Sequence, residues 1–178
     1  QLQYSQFEVV VVADPAGIAV AEALAFADAL KLIPFDKANI SAARNLGIDH
    51  GVGEVIAFID DDCIASPEWL AQGVKPFLSN TTNNTIDKQV GLVQGLTMPN
   101  PDHQRKLLEK TVNIPQKTLF FETCNIFYSK IAFDEVNGFS EEFMDKFYGE
   151  DTDLGWKVEK AGYLSEFSAC AVVKHHVF

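Results

Sequence analysis

Phe7 to Ala13, FEVVVVA, is a nearly unbroken β-branched run, the pattern of a strand buried on both faces as in a parallel sheet. It stops at Asp14-Pro15-Ala16-Gly17, and the Ala- and Leu-rich stretch from Ile18 to Leu30 predicts a helix. Lys31 to Phe35 predicts a short strand, which Pro34 restricts to an edge or a strand end. Ser41 is the expected N-cap of a helix carrying Ala42, Ala43, Leu46 and Ile48 and ending near Gly51 and Gly53. Glu54 to Ile59, EVIAFI, predicts a second buried strand that runs straight into Asp60-Asp61-Asp62.

Beyond the triplet, Pro67 suits the first turn of a helix from Glu68 to Leu78. The polar segment SNTTNNTIDK, from Ser79 to Lys88, predicts a surface loop, and Val90 to Thr97 a third strand. A helix near Arg105 to Thr111, a strand from Glu122 to Tyr128 and a short helix from Lys130 to Val136 follow. Glu150 to Ala161 has helical spacing through Leu154, Trp156 and Val158, with Trp156 and Phe139 expected in the core, and Gly162 stops it. A strand from Ser168 to Val173 closes the chain. Strands alternating with helices predict an α/β layer structure with a mainly parallel sheet. Ligands of such sheets bind at the carboxyl ends of the strands, so Asp14 and Asp62 are expected on one rim, at the ends of neighbouring parallel strands.

The length, 178 residues, suits one domain with a single sizeable core. No apolar run reaches the roughly 18–20 residues a membrane-spanning helix needs, and no basic leader with an apolar stretch opens the chain. With 14 basic against 25 acidic residues the net charge is −11, which repels a nucleic-acid backbone. Cys63, Cys124 and Cys170 have no CxxC spacing, so neither a disulfide framework nor a zinc knuckle is indicated, and a reducing, cytoplasmic compartment is expected.

The acids matter most where they are adjacent. Like charges about 4 Å apart repel by roughly 4 kcal/mol at an effective dielectric near 20, so an apposed trio sheds protons or captures a cation. Hard oxygen ligands favour Mg²⁺ or Mn²⁺, which commonly bridge carboxylates and substrate phosphates. An exposed acidic turn capping the next helix explains the triplet equally well when it is taken alone.

Its surroundings favour the cation. Residues 42 to 70, AARNLGIDHGVGEVIAFIDDDCIASPEWL, closely resemble the donor-binding half of glycosyltransferase family 2: a helix with A-x-N-x-G, then G-E-x-[IV]-x-F-[LI]-D-D-D and a P-x-x-[WL]-L helix. From Thr123 onward, TCNIFYSK, NGFSEEF, YGEDTDLGWK and AGY resemble that family's acceptor-side block. The resemblance implies the GT-A (nucleotide-diphospho-sugar transferase) fold, with a central sheet flanked by helices. Its usual first strand, of the type V-S-V-I-I-P-T-Y-N, is missing from this chain, where only QLQYSQ precedes the first predicted strand.

Position by position, the resemblance assigns the metal to Asp62 and to His175, with His176 as the fallback. It sets Asp14, Arg44, Asn45, Asp60 and Asp61 toward the nucleotide-sugar donor. Asp14 stands where the family carries an acid pair reading the base, and here the pair is Ala13-Asp14. Arg44 has the planar fork that suits phosphate. Asp151 is the implied general base, with Glu150 and Asp153 supporting it, and the helix N-terminus is expected to hold the pair ionised. The implied reaction is metal-dependent, inverting transfer of a sugar from a nucleotide-diphosphate sugar, a UDP-sugar first among them, to a hydroxyl of a carbohydrate or lipid-linked acceptor, with any membrane association supplied by parts outside this chain. Two other classes stay open: a non-catalytic nucleotide-sugar or cation-binding module, which need not set Asp151 across from Asp62, and a nucleotidyltransferase, which leaves the GED-x-DLGW block unexplained.

Overall fold

A computed structural model of the protein describes residues 2–24, 30–79, 89–102, 111–143 and 149–176. Strand β1 (Val9–Ala13) leads into helix α1 (Pro15–Leu24), strand β2 (Leu30–Pro34) and helix α2 (Ile40–Asp49). Strands β3 (Val55–Ile59) and β4 (Cys63–Ala65) flank the acidic triplet, followed by α3 (Trp69–Ser79) and β5 (Val90–Pro99). Then come β6 (Asn125–Ser129), α4 (Lys130–Glu135), a 3₁₀ turn at Glu141–Phe143, α5 (Glu150–Lys160) and β7 (Leu164–His175). The expected helix near Arg105 to Thr111 and loop from Ser79 to Lys88 fall almost wholly on 103–110 and 80–88, outside the described residues. No helix among the described residues is long and apolar enough to cross a membrane.

The α/β expectation holds, but the sheet is not mainly parallel. A five-stranded sheet has the order β3-β6-β5-β7-β4, and only its β5/β7 pairing is parallel, the other three being antiparallel. Hydrophobic runs do not encode direction, and β6 returns antiparallel between β3 and β5. The expectation that the strands ending at Asp14 and Asp62 are neighbours also fails. β1 pairs in parallel with β2 in a separate two-stranded sheet, while β3 takes β6 as its partner. Nor are β1 and β3 buried on both faces: Val9 is 42% and Ile59 38% exposed, since both strands lie at sheet margins among the described residues.

Full burial falls on β5 and β6, where period-2 alternation divides the side chains between two layers. Leu92, Ile126 and Tyr128 face one layer with Phe121, Phe133, Phe139, Leu154 and Val158. Val93 and Phe127 face the other with Trp69, Leu70, Ala171 and Val173. Helices α4 and α5 therefore cover one face and α3 the other. The β5/β7 register slips between Gly95 and Leu96, and the Asn125 side chain fills the irregularity, donating to the Leu96 and Ala171 carbonyls at 3.0 Å each and accepting from Trp69 Nε1 at 2.8 Å. Position 95 is glycine because a Cβ there would lie 2.3 Å from the Asn125 amide.

Helix α2 is capped two residues earlier than expected. Asn39, not Ser41, accepts the Ala42 N–H at 3.0 Å, and Ser41 is buried. Short strand β4 has no counterpart among the predicted elements; three residues directly after a turn carry too little periodicity to be read.

Candidate functional site

Strand directions decide which residues share a rim. The carboxyl ends of β3, β5 and β7 lie together, and because β6 and β4 run the other way, their first residues join the same edge: Ile59 faces Asn125, Pro99 faces His175, and Cys63 faces His175. Asp60 then lies opposite Cys124, one step beyond the last paired residues.

Three residues form a tight group at this rim. The ligand atoms of Asp62, Cys63 and His175 all lie within 4.8 Å of one another, and the His176 N–H donates to the Asp62 carbonyl at 3.0 Å, tying the triplet turn to the end of β7. His175 is buried, with Nδ1 2.7 Å from the His176 carbonyl. A carbonyl only accepts, so Nδ1 carries a proton and Nε2 is the ring nitrogen turned toward the carboxylate. Nε2 lies 3.7 Å from Asp62 Oδ1, too far for a hydrogen bond but within the span of two metal bonds of about 2.1 Å each. A carboxylate oxygen and an imidazole nitrogen at this separation are atom types that can share a cation. Burial pushes the Cys63 thiol far above its usual range, and soft sulfur is a poor match for Mg²⁺ or Mn²⁺, which leaves the carboxylate and the imidazole as the better-suited ligands.

Asp60 is half-buried and its carboxyl is raised, first by desolvation and further by Asp62 and Asp61, against the opposing pull of Arg44 and His175. Asp61 is exposed on the turn. Asp14 is exposed and caps α1, its Oδ1 accepting the Gly17 N–H at 2.7 Å.

Arg44 and Asn45, on α2, both reach protein partners. The Arg44 guanidinium donates to Glu150 Oε1 at 2.8 Å and to Thr123 Oγ1 at 2.7 Å, and stands 5.2 Å from the Phe139 ring centroid. The Asn45 amide donates to the Phe139 carbonyl at 2.9 Å and accepts the Phe139 N–H at 3.1 Å, pinning the NGFSEEF segment onto α2. Helix α5 is thereby fixed at its first residue, where Glu150 is buried.

Asp151 is half-buried beside this pair. Each hydrogen bond to it among the described residues falls on Oδ1, from the Thr152 N–H at 2.7 Å and the Thr152 hydroxyl at 3.4 Å. The helix-terminus argument predicts a carboxyl held ionised, yet desolvation outweighs the Thr152 N–H and Arg44, and Glu150 and Glu122 push the same way, so its pKa is raised. Asp153 turns away into an i,i+4 pair with Lys157 at 2.6 Å.

Sequence reading missed the segment entering β6. Gln94, Thr118 and Glu122 share a hydrogen-bonded knot in which Thr118 Oγ1 donates to Glu122 Oε2 at 2.8 Å and the Thr118 N–H to Gln94 Oε1 at 2.9 Å. Phe121 adopts φ 54° while fully buried, a strained backbone for a bulky residue that recurs near functional sites. The one signal for this segment was its adjacency to the TCN motif. Trp156, expected in the core, is 56% exposed, whereas Phe139 is buried as expected.

Known proteins match this arrangement. The profile described as "Glycosyl transferase family 2" matches residues 1–136. The chain is 26% identical over 144 residues to the pre-mycofactocin glycosyltransferase of Mycobacterium tuberculosis, covering 76% of this chain and 29% of that protein. It is 27% identical over 142 residues to glycosyltransferase AglE of Haloferax volcanii, covering 77% and 44%. It thus spans less than half the length of these curated relatives. Among solved structures, the mannosyltransferase PcManGT of Pyrobaculum calidifontis, in complex with GDP-Man and Mn²⁺, superposes with TM-score 0.69 at 20% identity over 98% of this chain and 49% of that one. S. aureus TarS in complex with UDP-GlcNAc gives 0.70 at 17% over 98% and 51%. The fold is that of the GT-A glycosyltransferases, and the chain belongs to glycosyl transferase family 2.

Proposed function

We propose that this chain is the catalytic domain of a glycosyltransferase that moves a sugar from a nucleotide-diphosphate sugar to an acceptor hydroxyl with inversion, using a divalent cation at Asp62 and His175. The observation that carries the reading is the clustering of Asp62, Cys63 and His175 at the rim, with Asp62 Oδ1 and His175 Nε2 3.7 Å apart. Solved neighbours that hold GDP-Man with Mn²⁺ or UDP-GlcNAc support the donor class and a divalent metal, and oxygen-rich ligation favours Mn²⁺ or Mg²⁺. A cation there supplies charge stabilisation to the departing diphosphate.

The chain's own residues supply the rest. Asp151, with its raised pKa, is a stronger base than an ordinary carboxylate and takes the proton from the acceptor hydroxyl. The hydroxyl oxygen attacks the anomeric carbon as the bond to the diphosphate breaks, and a single displacement inverts that carbon. Arg44 positions α5 through Glu150, and Asn45 holds the adjoining loop. Asp14, Asp60 and Asp61 are assigned to the donor side.

Two substitutions, read by thermal stabilisation and by transfer, test this reading. Asp62→Ala should abolish Mn²⁺-dependent thermal stabilisation by UDP or GDP. Asp151→Asn should leave that stabilisation intact and lower transfer by about 10²–10⁴-fold. Unchanged metal-dependent binding in Asp62→Ala removes the cation assignment, and undiminished transfer in Asp151→Asn removes the base.

A further inference from the structure

Beside Asp151 the molecule exposes apolar surface that the proposed chemistry leaves unused. Leu119, Phe120 and Trp156 are 61%, 66% and 56% exposed. They are held in place rather than loosely displayed. Trp156 Nε1 donates to the Leu119 carbonyl at 3.2 Å, and Thr152 Oγ1 donates to the Phe120 carbonyl at 2.8 Å. Thr152 and Trp156 are one turn apart on α5, so one helix face grips two consecutive carbonyls. The next residue, Phe121, is turned inward at φ 54° and packs where Gly155 leaves room, which drives Leu119 and Phe120 outward.

The surface is continuous with the site. The Thr152 hydroxyl that holds the Phe120 carbonyl is 3.4 Å from Asp151 Oδ1. Charge narrows what can lie across it. Glu150 is buried and paired with Arg44, but Glu122 and Asp151 remain, so a phosphate placed here meets carboxylates. A neutral polyol does not, and carboxylates accept hydrogen bonds from its hydroxyls. Exposed aromatic faces suit the apolar C–H face of a sugar ring, an amphipathic partner with one wet side.

We propose that Phe120 and Trp156, with Leu119, form an acceptor platform that takes a neutral oligosaccharide, its terminal hydroxyl at Asp151 and the following unit laid on the aromatic rings. This rests on the reading of Asp151 as the base. It makes Phe120 and Trp156 specificity-determining residues and disfavours acceptors whose phosphate adjoins the reacting sugar.

The two tryptophans provide the probe, because Trp69 is 4% exposed and Trp156 56%. In the intact protein, acrylamide quenching reports Trp156, and a panel of maltotetraose, cellotetraose, mannotetraose and chitotetraose is titrated against it. At least one should protect the tryptophan, with weaker protection by the corresponding disaccharide. Phe120→Ser should abolish that protection while Mn²⁺-dependent UDP or GDP stabilisation is unchanged. Trp156→Phe, which keeps the apolar face, should retain the preference for longer acceptors in transfer assays, with Phe120→Ser raising acceptor KM by about tenfold at similar kcat. No protection by any tetrasaccharide overturns the platform, as does protection by phosphatidylcholine vesicles alone. Protection without any sugar transfer leaves the platform standing and defeats the catalytic reading, and transfer with an unchanged KM in Phe120→Ser does the reverse.

Discussion

Arg44 is the residue whose two readings diverge most, and a double-mutant cycle with Glu150 separates them. The pair is nearly enclosed, with side chains 16% and 9% exposed and a 2.8 Å contact. Arg44→Met strands a buried carboxylate, a change that costs about 3–5 kcal/mol. For a domain of this size that corresponds to a fall of about 6–20 °C in Tm, a large share of a total stability of roughly 5–15 kcal/mol. Glu150→Gln is expected to cost about 1–3 kcal/mol, because the guanidinium keeps Thr123 and the favourable fields of Asp60 and Asp151. The double variant buries neither charge, so it should recover about 1–3 kcal/mol relative to the sum of the singles. Urea unfolding with m-values checks that the denatured state is common to all four proteins. Additivity within about 0.5 kcal/mol would refute the positioning role. Should the double variant fold well yet fail to bind a nucleoside diphosphate with Mn²⁺, Arg44 contacts the donor as its sequence context suggests.

Two further outcomes follow from burial. Asp151 has a folded-state pKa raised above 3.8, so its contribution to stability is full below the unfolded value and is lost as pH rises through the folded one; Asp151→Asn should therefore be more stable than the parent at neutral pH, the advantage shrinking toward pH 3.8, and a pH-independent difference would discount desolvation as the cause. Gly155→Ala places a methyl 2.2 Å from the fully buried Phe121 ring, and should cost about 3 kcal/mol, the upper end for overpacking, measured as a Tm loss; a neutral result would mean Phe121 can rotate away.

Much of the site was legible because its residues are close in sequence to unmistakable elements. The triplet ending EVIAFI and the acids opening the GEDTDLGWK helix are local patterns, and their expected roles toward a cation and an acceptor came from the resemblance of their flanks to the family. Thr123, which anchors Arg44, and Glu122, whose charge bears on Asp151, were not legible, since their places depend on β6 running antiparallel, which EVIAFI-type runs do not reveal. Trp156 was misjudged by spacing: at about 100° per residue it lies roughly 200° from Leu154, while Val158 at i+4 returns to the same face, and both of those are buried as Trp156 is not. Asp14 was read through its flanking strand, yet that strand pairs elsewhere, because adjacency in a sheet is set by edges that sequence alone does not rank.

The mixed strand directions are what assemble this site. In a uniformly parallel sheet the residues preceding β6 would sit at the opposite rim from Asp60, a strand length away at about 3.3 Å per residue. Antiparallel β6 instead puts Thr123 and Cys124 alongside the triplet, and Thr123 is the second anchor of Arg44. Antiparallel β4 does the same for Cys63, so that the chain leaving the triplet turns back along β7 and meets His175. The proposed cation ligands are thus held by a strand register, and the proposed base, Asp151, by a buried ion pair reaching from α2. If that division is correct, breaking the Arg44–Glu150 pair should impair transfer more than cation binding, and disturbing the β4/β7 pairing should do the opposite.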